Sequence, residues 1–233
     1  NDTLLGSATD DYFIGDAGND VAYGGLGNDT LDGGTSGSDT IYGEDGDDSI
    51  AGGITGNDTL FGGIGNDKIY GAALGSNGSG DTGTNLLYGD AGTDTIYGGI
   101  GNDTIYGGDD NDTLYGGFGA DTFYGNAGND TAFGGKDGDT YEFANGDGSD
   151  IFHGNAVDNA SDGGAIDTIF LGSGNPNPGG DPMTWLTLDT GSIMNYDAAT
   201  GVITLSADAD GHLLLSDGSY LEFHDIEKIM WTP

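Results

Sequence analysis

Gly98-Gly99-Ile100-Gly101-Asn102-Asp103-Thr104-Ile105-Tyr106 is followed at once by Gly107-Gly108-Asp109-Asp110-Asn111-Asp112-Thr113-Leu114-Tyr115, one nine-residue unit written twice. Its first six residues are turn chemistry: Gly supplies backbone freedom, and Asn or Asp supplies short-range side-chain hydrogen bonds. The last three, Thr then Ile or Leu then Tyr, alternate as a short half-buried strand does, so the middle residue is expected to point inward. A nine-residue turn cannot close on itself, but two of them form an 18-residue coil, strand-turn-strand-turn, that stacks on the next.

In both directions from this stretch, an Asp followed two residues later by an apolar residue recurs at Asp2, Asp11, Asp20, Asp29, Asp39, Asp48, Asp58, Asp67, Asp94, Asp103, Asp112, Asp121, Asp130 and Asp139. Such a fixed short period marks a solenoid. The two steps of ten, 29 to 39 and 48 to 58, add their residue within Gly33–Gly37 and Gly52–Gly56, so insertions fall in turns. The step from Asp67 to Asp94 is 27 residues, or three periods, with Asn85 in the Asp place and Leu87 in the apolar place. Between Ala72 and Thr84 the apolar place holds Gly78, which predicts a loop bulging from the array. The inward column is expected to comprise Leu4, Phe13, Ala22, Leu31, Ile41, Ile50, Leu60, Ile69, Leu87, Ile96, Ile105, Leu114, Phe123, Ala132 and Tyr141. Outward ladders of Thr95, Thr104, Thr113 and Thr122 and of Tyr88, Tyr97, Tyr106, Tyr115 and Tyr124 would steady the sheets by stacking, or offer a flat platform to a glycan or to ice. Asn28, Asn57, Asn66, Asn102, Asn111 and Asn129, each just before an Asp, read as turn residues that tolerate the left-handed conformation and not as ligands.

Charge sets the next constraint. The chain carries 36 Asp, 4 Glu, 3 Lys, no Arg and no Cys, for a formal charge of −37. Low hydrophobicity with high net charge ordinarily means disorder, yet 12 Tyr, 9 Phe and 2 Trp are too many aromatics for an acidic tail. Something must order it, and a hard divalent cation is the natural candidate, because carboxylate and carbonyl oxygens are what such an ion takes. A nucleic-acid partner is excluded for want of a basic patch. Disulfides, thiolate zinc sites and Cys nucleophiles are excluded outright. No apolar run approaches the ~20 residues that span a bilayer. The chain starts in mid-pattern at Asn1-Asp2-Thr3-Leu4, and it is expected to be covalently part of a larger polypeptide.

The repeated G-G-x-G-x-D-x-U-x pattern over residues 1 to about 142 resembles the RTX family, the haemolysin-type calcium-binding nonapeptide repeats of proteins exported by Gram-negative type I secretion. That resemblance implies an all-β fold, a parallel β-roll of two thin sheets with Ca²⁺ between successive turns on each edge. It implies metal ligands at the Asp place of each unit, namely Asp11, Asp20, Asp29, Asp39, Asp48, Asp58, Asp67, Asp94, Asp103, Asp112, Asp121, Asp130 and Asp139, together with backbone carbonyls. Physical chemistry agrees: parallel strands lie ~4.8 Å apart, so Asp103 and Asp121 would stack and, without a metal, repel. Roughly ten Ca²⁺ ions would remove about 20 of the 37 negative charges. Mg²⁺ fits less well, because it prefers a small octahedron and keeps its waters. Affinity is expected to be weakest near Asp67 and Asn85, where one Asp is missing and another is replaced by a neutral amide.

After residue 142 the period breaks, leaving echoes at Gly148-Ser149-Asp150-Ile151-Phe152 and Ile166-Asp167-Thr168-Ile169-Phe170-Leu171. Longer apolar stretches follow: Trp185 to Leu188, Val202 to Leu205, His212 to Leu215, Tyr220 to Phe223 and Ile226 to Trp231. With turns such as Asp189-Thr190-Gly191 and Asp217-Gly218 between them, they predict antiparallel strands that cap the open end of the solenoid. The expected division is therefore 1–142, calcium-binding roll, and 143–233, β-rich cap; Tyr196 to Val202 and Ile226 to Ile229 resemble RTX C-terminal flanking segments. The ending also resembles the junction before Hint-type self-processing domains, but the Cys that they require is absent. No enzyme is expected. His153, His212 and His224 form no metalloprotease motif and read as surface or cap residues. The function implied is a secreted, non-catalytic calcium-binding module that folds after export. Alternatives are an adhesin-type module for a polysaccharide, a cell-surface ligand or ice, and a calcium-triggered self-processing segment cut at Asp181-Pro182.

Overall fold

The computed structural model describes residues 1–75, 81–155, 166–172, 185–197, 199–215 and 217–231. Alternate strands pair in parallel and in register. Thr104–Asp109 lies between Leu86–Ala91 and Thr122–Ala127, with Ile105 opposite Leu87 on one side and Phe123 on the other. Thr113–Phe118 lies in the same way between Thr95–Gly99 and Thr131–Lys136. Consecutive strands thus belong to opposite sheets, and the chain winds between them as an all-β parallel solenoid of about eight turns. The all-β parallel roll that the resemblance implies is what forms, built from the expected 18-residue coils.

The strand triplet explains the core. Ile105 and Leu114 face each other from the two sheets, and Leu60, Ile69, Leu87 and Ile96 continue the column, all fully buried. The flanking Thr and Tyr are half-buried on the outer faces. Their rings divide into two ladders, one per sheet. Tyr23, Tyr42, Phe61, Tyr88, Tyr106 and Tyr124 stack at 4.4–4.9 Å between centroids. Tyr70, Tyr97, Tyr115, Phe133, His153 and His224 stack at 4.6–5.2 Å.

Positive φ falls at the second and fourth residues of the turn, as at Gly117 (113°) and Gly119 (109°). Where the second place is not Gly, Asp90 and Asn126 adopt the same region at 72° and 65°, which short polar side chains tolerate. The Asn residues before each Asp do not, and here the sequence expectation is corrected. Their side-chain oxygens instead accept backbone N–H groups one coil further on: Thr93 onto Asn66 at 3.0 Å, Ala120 onto Asn102 at 3.0 Å and Asn129 onto Asn111 at 2.7 Å. The reason is that those turn N–H groups lie outside the strand ladders and need an acceptor, which an amide of this length supplies across the coil spacing.

The interruption after Asp67 adds no coil. The connection between Lys68–Tyr70 and Leu86–Ala91 runs from Gly71 to Asn85, nine residues longer than the six-residue turn Gly98 to Asp103, and pairing resumes with Leu87 opposite Leu60. The bulge expected at Gly78 lies outside the described residues.

Both sheets continue past residue 142. Ser149–Asn155 extends one from Thr131–Lys136, and Thr168–Leu171 extends the other from Thr140–Phe143. A single strand, Tyr220–Trp231, then completes both. Tyr220 to His224 pairs in parallel with Ser149 to His153, and Lys228 to Trp231 with Thr168 to Leu171, the chain turning at Asp225 with φ of 59°. Val202–Leu214 runs antiparallel to it, and Leu186–Leu188 and Ile193–Asp197 run antiparallel to that. Fully buried Phe223, Ile226 and Ile229 carry the column of Phe152 and Ile169 into this end. Among the described residues no helix is long and apolar enough to cross a membrane.

Candidate metal centres

Asp103 shows how each unit builds its position. It ends the turn and immediately precedes a strand, so its N–H points along the stack and donates to Oδ1 of Asp121 at 2.8 Å; Asp121 donates in turn to Asp139 at 2.8 Å. Repeated, this bond makes two ladders. One runs Asp20, Asp39, Asp58, Asn85, Asp103, Asp121, Asp139 and Asp167. The other runs Asp11, Asp29, Asp48, Asp67, Asp94, Asp112, Asp130 and Asp150. Every Asp expected to ligate metal stands on one of these ladders. Asp11 is half-buried and the others are at most 3% exposed.

Only one oxygen of each carboxylate is satisfied this way. Oδ2 of Asp48, Asp58, Asp67, Asp94, Asp103, Asp112, Asp121, Asp130 and Asp139 is buried with no hydrogen-bond partner. Burial penalises the charged form, and the accepted backbone N–H offsets this only in part. Burial therefore pushes Asp103 up to about 7, Asp112 and Asp121 to about 8, and Asp139 to about 9.

The first glycine of each unit makes room for this oxygen. A Cβ on Gly98 would stand 2.6 Å from Oδ2 of Asp103 and 2.7 Å from the carbonyl oxygen of Gly116, one coil on. On Gly107 it would meet Asp112 and the Gly125 carbonyl at 2.5 and 2.7 Å. Among the described residues no three carboxylate or imidazole side chains gather into a cluster. What the turns ending in Asp103 and Asp112 each offer is one carboxylate oxygen without a hydrogen-bond partner, beside backbone carbonyls.

The RTX calcium-binding nonapeptide repeat family matches residues 1–31, 34–54, 55–73, 79–114 and 106–141, more than half of the chain. The chain belongs to that family. A search among curated proteins returned no match. RTX nonapeptide repeats bind calcium, and the donors of this RTX array fit such an ion: all are hard oxygens, part carboxylate and part carbonyl, with none of the nitrogen or sulfur ligands a transition metal favours.

Among the described residues, three further buried carboxylates, Asp81, Asp150 and Asp167, were not singled out in the sequence. Asp150 and Asp167 are fully buried and extend the two ladders past the last regular unit, where the echoes Ser149-Asp150-Ile151-Phe152 and Asp167-Thr168-Ile169 were the available signal. Asp150 differs from the rest in that its Oδ2 accepts the Tyr141 hydroxyl at 2.9 Å. Asp81, also fully buried, lies beside Asn85 and gave no periodic signal. Asp81 therefore places a buried carboxylate next to Asn85 that the Asp place of the repeat did not mark.

Proposed function

We propose that this chain is a non-catalytic calcium-binding module of a larger extracellular protein exported by type I secretion, and that it folds when calcium binds after export. Residues 1–142 would hold roughly ten Ca²⁺ ions through the Asp ladders, with Asp11, Asp20, Asp29, Asp39, Asp48, Asp58, Asp67, Asp94, Asp103, Asp112, Asp121, Asp130 and Asp139 as ligands, and residues 143–233 would cap the roll. One observation carries this reading: a column of buried carboxylate oxygens without partners. Left charged and uncompensated they oppose folding; a bound divalent cation reverses the sign of that contribution. An ion that binds only the folded state stabilises it by RT ln(1 + [L]/Kd), about 1.4 kcal/mol per site for each tenfold rise in calcium above Kd. Submicromolar calcium in the cytosol leaves the chain extended and fit for export, and millimolar calcium outside folds it. RTX repeat proteins are typically secreted, which agrees with this scheme.

Circular dichroism tests the reading. In excess EDTA the strand signal of the repeats should be lost, millimolar Ca²⁺ should restore it cooperatively, and equal Mg²⁺ should not. Full strand content in EDTA would refute calcium-ordered folding.

Neither alternative gains support from a specific observation. A glycan platform needs open ring faces, whereas the rings of both ladders turn their faces to one another at interplanar angles of 3–11°. The Asp181-Pro182 bond of the self-processing reading lies outside the described residues.

A further inference from the structure

Asn85 occupies an interior rung of one ladder. Like an Asp, it accepts the Asp58 N–H on Oδ1 at 2.9 Å and donates its own N–H to Asp103 Oδ1 at 2.7 Å. Its other side-chain atom is where the chemistry changes. Nδ2 lies 2.6 Å from where a Cβ on Gly71 would stand, as Oδ2 of Asp103 does from Gly98. The amide cannot be reversed, because Nδ2 would then face the Asp58 N–H, donor against donor. A rung that elsewhere offers a carboxylate oxygen therefore offers two N–H hydrogens, which cannot ligate a cation.

That donor is already engaged. Asn85 Nδ2 donates to Asp81 Oδ2 at 3.0 Å, and Gly83 N–H donates to Asp81 Oδ1 at 2.9 Å. Asp81 takes the second place of the unit Gly80-Asp81-Thr82-Gly83-Thr84-Asn85. At the same place in their own units Asp16, Glu44, Asp90 and Asn126 are exposed, whereas Asp81 is fully buried. Both oxygens of this buried carboxylate have protein donors, in contrast to the orphaned oxygens of Asp58 and Asp103 above and below. The same chemistry closes the far end of the other ladder, where the Tyr141 hydroxyl donates to Asp150 Oδ2.

We propose that the Asn85–Asp81 pair closes its rung without metal, so that one link between the coils of Asp58 and Asp103 is made of protein alone. The amide donor stands in for the cation, and Asp81 is a partner of Asn85 and not a substitute ligand. The long turn from Gly71 to Asn85 is then the means of bringing that partner in. Calcium would load the rungs on either side, while this one would be present at any calcium concentration.

The inference rests on calcium binding by the array, and native mass spectrometry of the full chain in saturating Ca²⁺ separates the two. Relative to wild type, Asn85→Asp restores the missing oxygen and should take up one additional ion. Asp81→Asn should leave the number unchanged. A wild-type chain with no bound calcium would overturn the calcium reading and this one with it. Wild-type uptake with no gain in Asn85→Asp, or with one ion lost in Asp81→Asn, would overturn the metal-free link alone. Should either variant fail to fold, calcium anomalous scattering from wild-type crystals decides. Peaks beside Asp58 and Asp103 and none at Asn85 support the link, and a peak ligated by Asp81 overturns it.

Discussion

At the scale of single residues, the nonapeptide divides its labour between a glycine that admits oxygens, an aspartate that supplies one and an apolar residue that fills the core. The glycine requirement at Gly98 is steric: its position is hemmed in by Asp103 Oδ2 and the Gly116 carbonyl. Gly98→Ala should push that carboxylate and the next coil apart, raising the calcium midpoint and lowering cooperativity in a circular dichroism titration. Ile105→Ala removes a fully buried side chain between rigidly stacked neighbours and should destabilise the calcium-loaded roll by about 2–5 kcal/mol in chemical denaturation. If Ile105→Ala were neutral while Gly98→Ala abolished folding, the apolar column would be filler and the turns alone would hold the fold. The Asp, the Gly and the inner apolar residue were all legible in sequence because each recurs at one phase. The role of Asn66 or Asn102 was not, since its bond runs to a backbone group 27 or 18 residues away and composition cannot distinguish an amide that shapes its own turn from one that caps the next.

At the scale of the coil, the stacked turns set a pH dependence whose sign follows from burial. In the metal-free fold Asp48, Asp94 and Asp130 are raised to about 6, Asp112 and Asp121 to about 8 and Asp139 to about 9, from an ordinary 3.8. A carboxyl whose folded value lies above its unfolded value favours the folded state when protonated. That contribution is complete below about pH 4 and is lost as pH rises through the folded values, about 6 to about 9. In EDTA the repeats should therefore show more strand signal at pH 5 than at pH 8, while in millimolar calcium the difference should shrink. Calcium addition near pH 7 should release protons into a weakly buffered solution. More strand in EDTA at pH 8 than at pH 5 would contradict a buried, uncompensated ladder. The aromatic ladders belong to this scale too. Period nine predicted outward Tyr residues, and the pairing of every second strand puts Tyr97 and Tyr106, adjacent in the repeat, in ladders on opposite sheets.

For the whole molecule, the decisive feature is the far end. A parallel solenoid ends in open strand edges, which invite pairing with other chains. Here Tyr220–Trp231 pairs with the last strand of both sheets, and the antiparallel strand Val202–Leu214 covers it in turn. Because each coil gains stability only from its neighbours, a preformed edge at this end should let Asp139, Asp130 and Asp121 order in succession. Deleting 143–233 should raise the calcium midpoint of folding severalfold or leave the repeats largely disordered in millimolar calcium. An unchanged midpoint and unchanged cooperativity would make this segment a passenger.

The sequence by itself determined the solenoid, its handover from turn to strand, the inner column and the ladder aspartates, because a repeat reports the same local physics more than a dozen times and errors in one unit are outvoted by the rest. Only the tertiary structure decided what happens where the period fails. Asp81 enters the array through a turn nine residues too long, Asp150 meets a tyrosine hydroxyl, and one strand near the C-terminus belongs to both sheets. Each of these depends on which residues meet across the stack, and a contact between residues such as Leu221 and Asp150, 71 positions apart, leaves no period in the chain to be read.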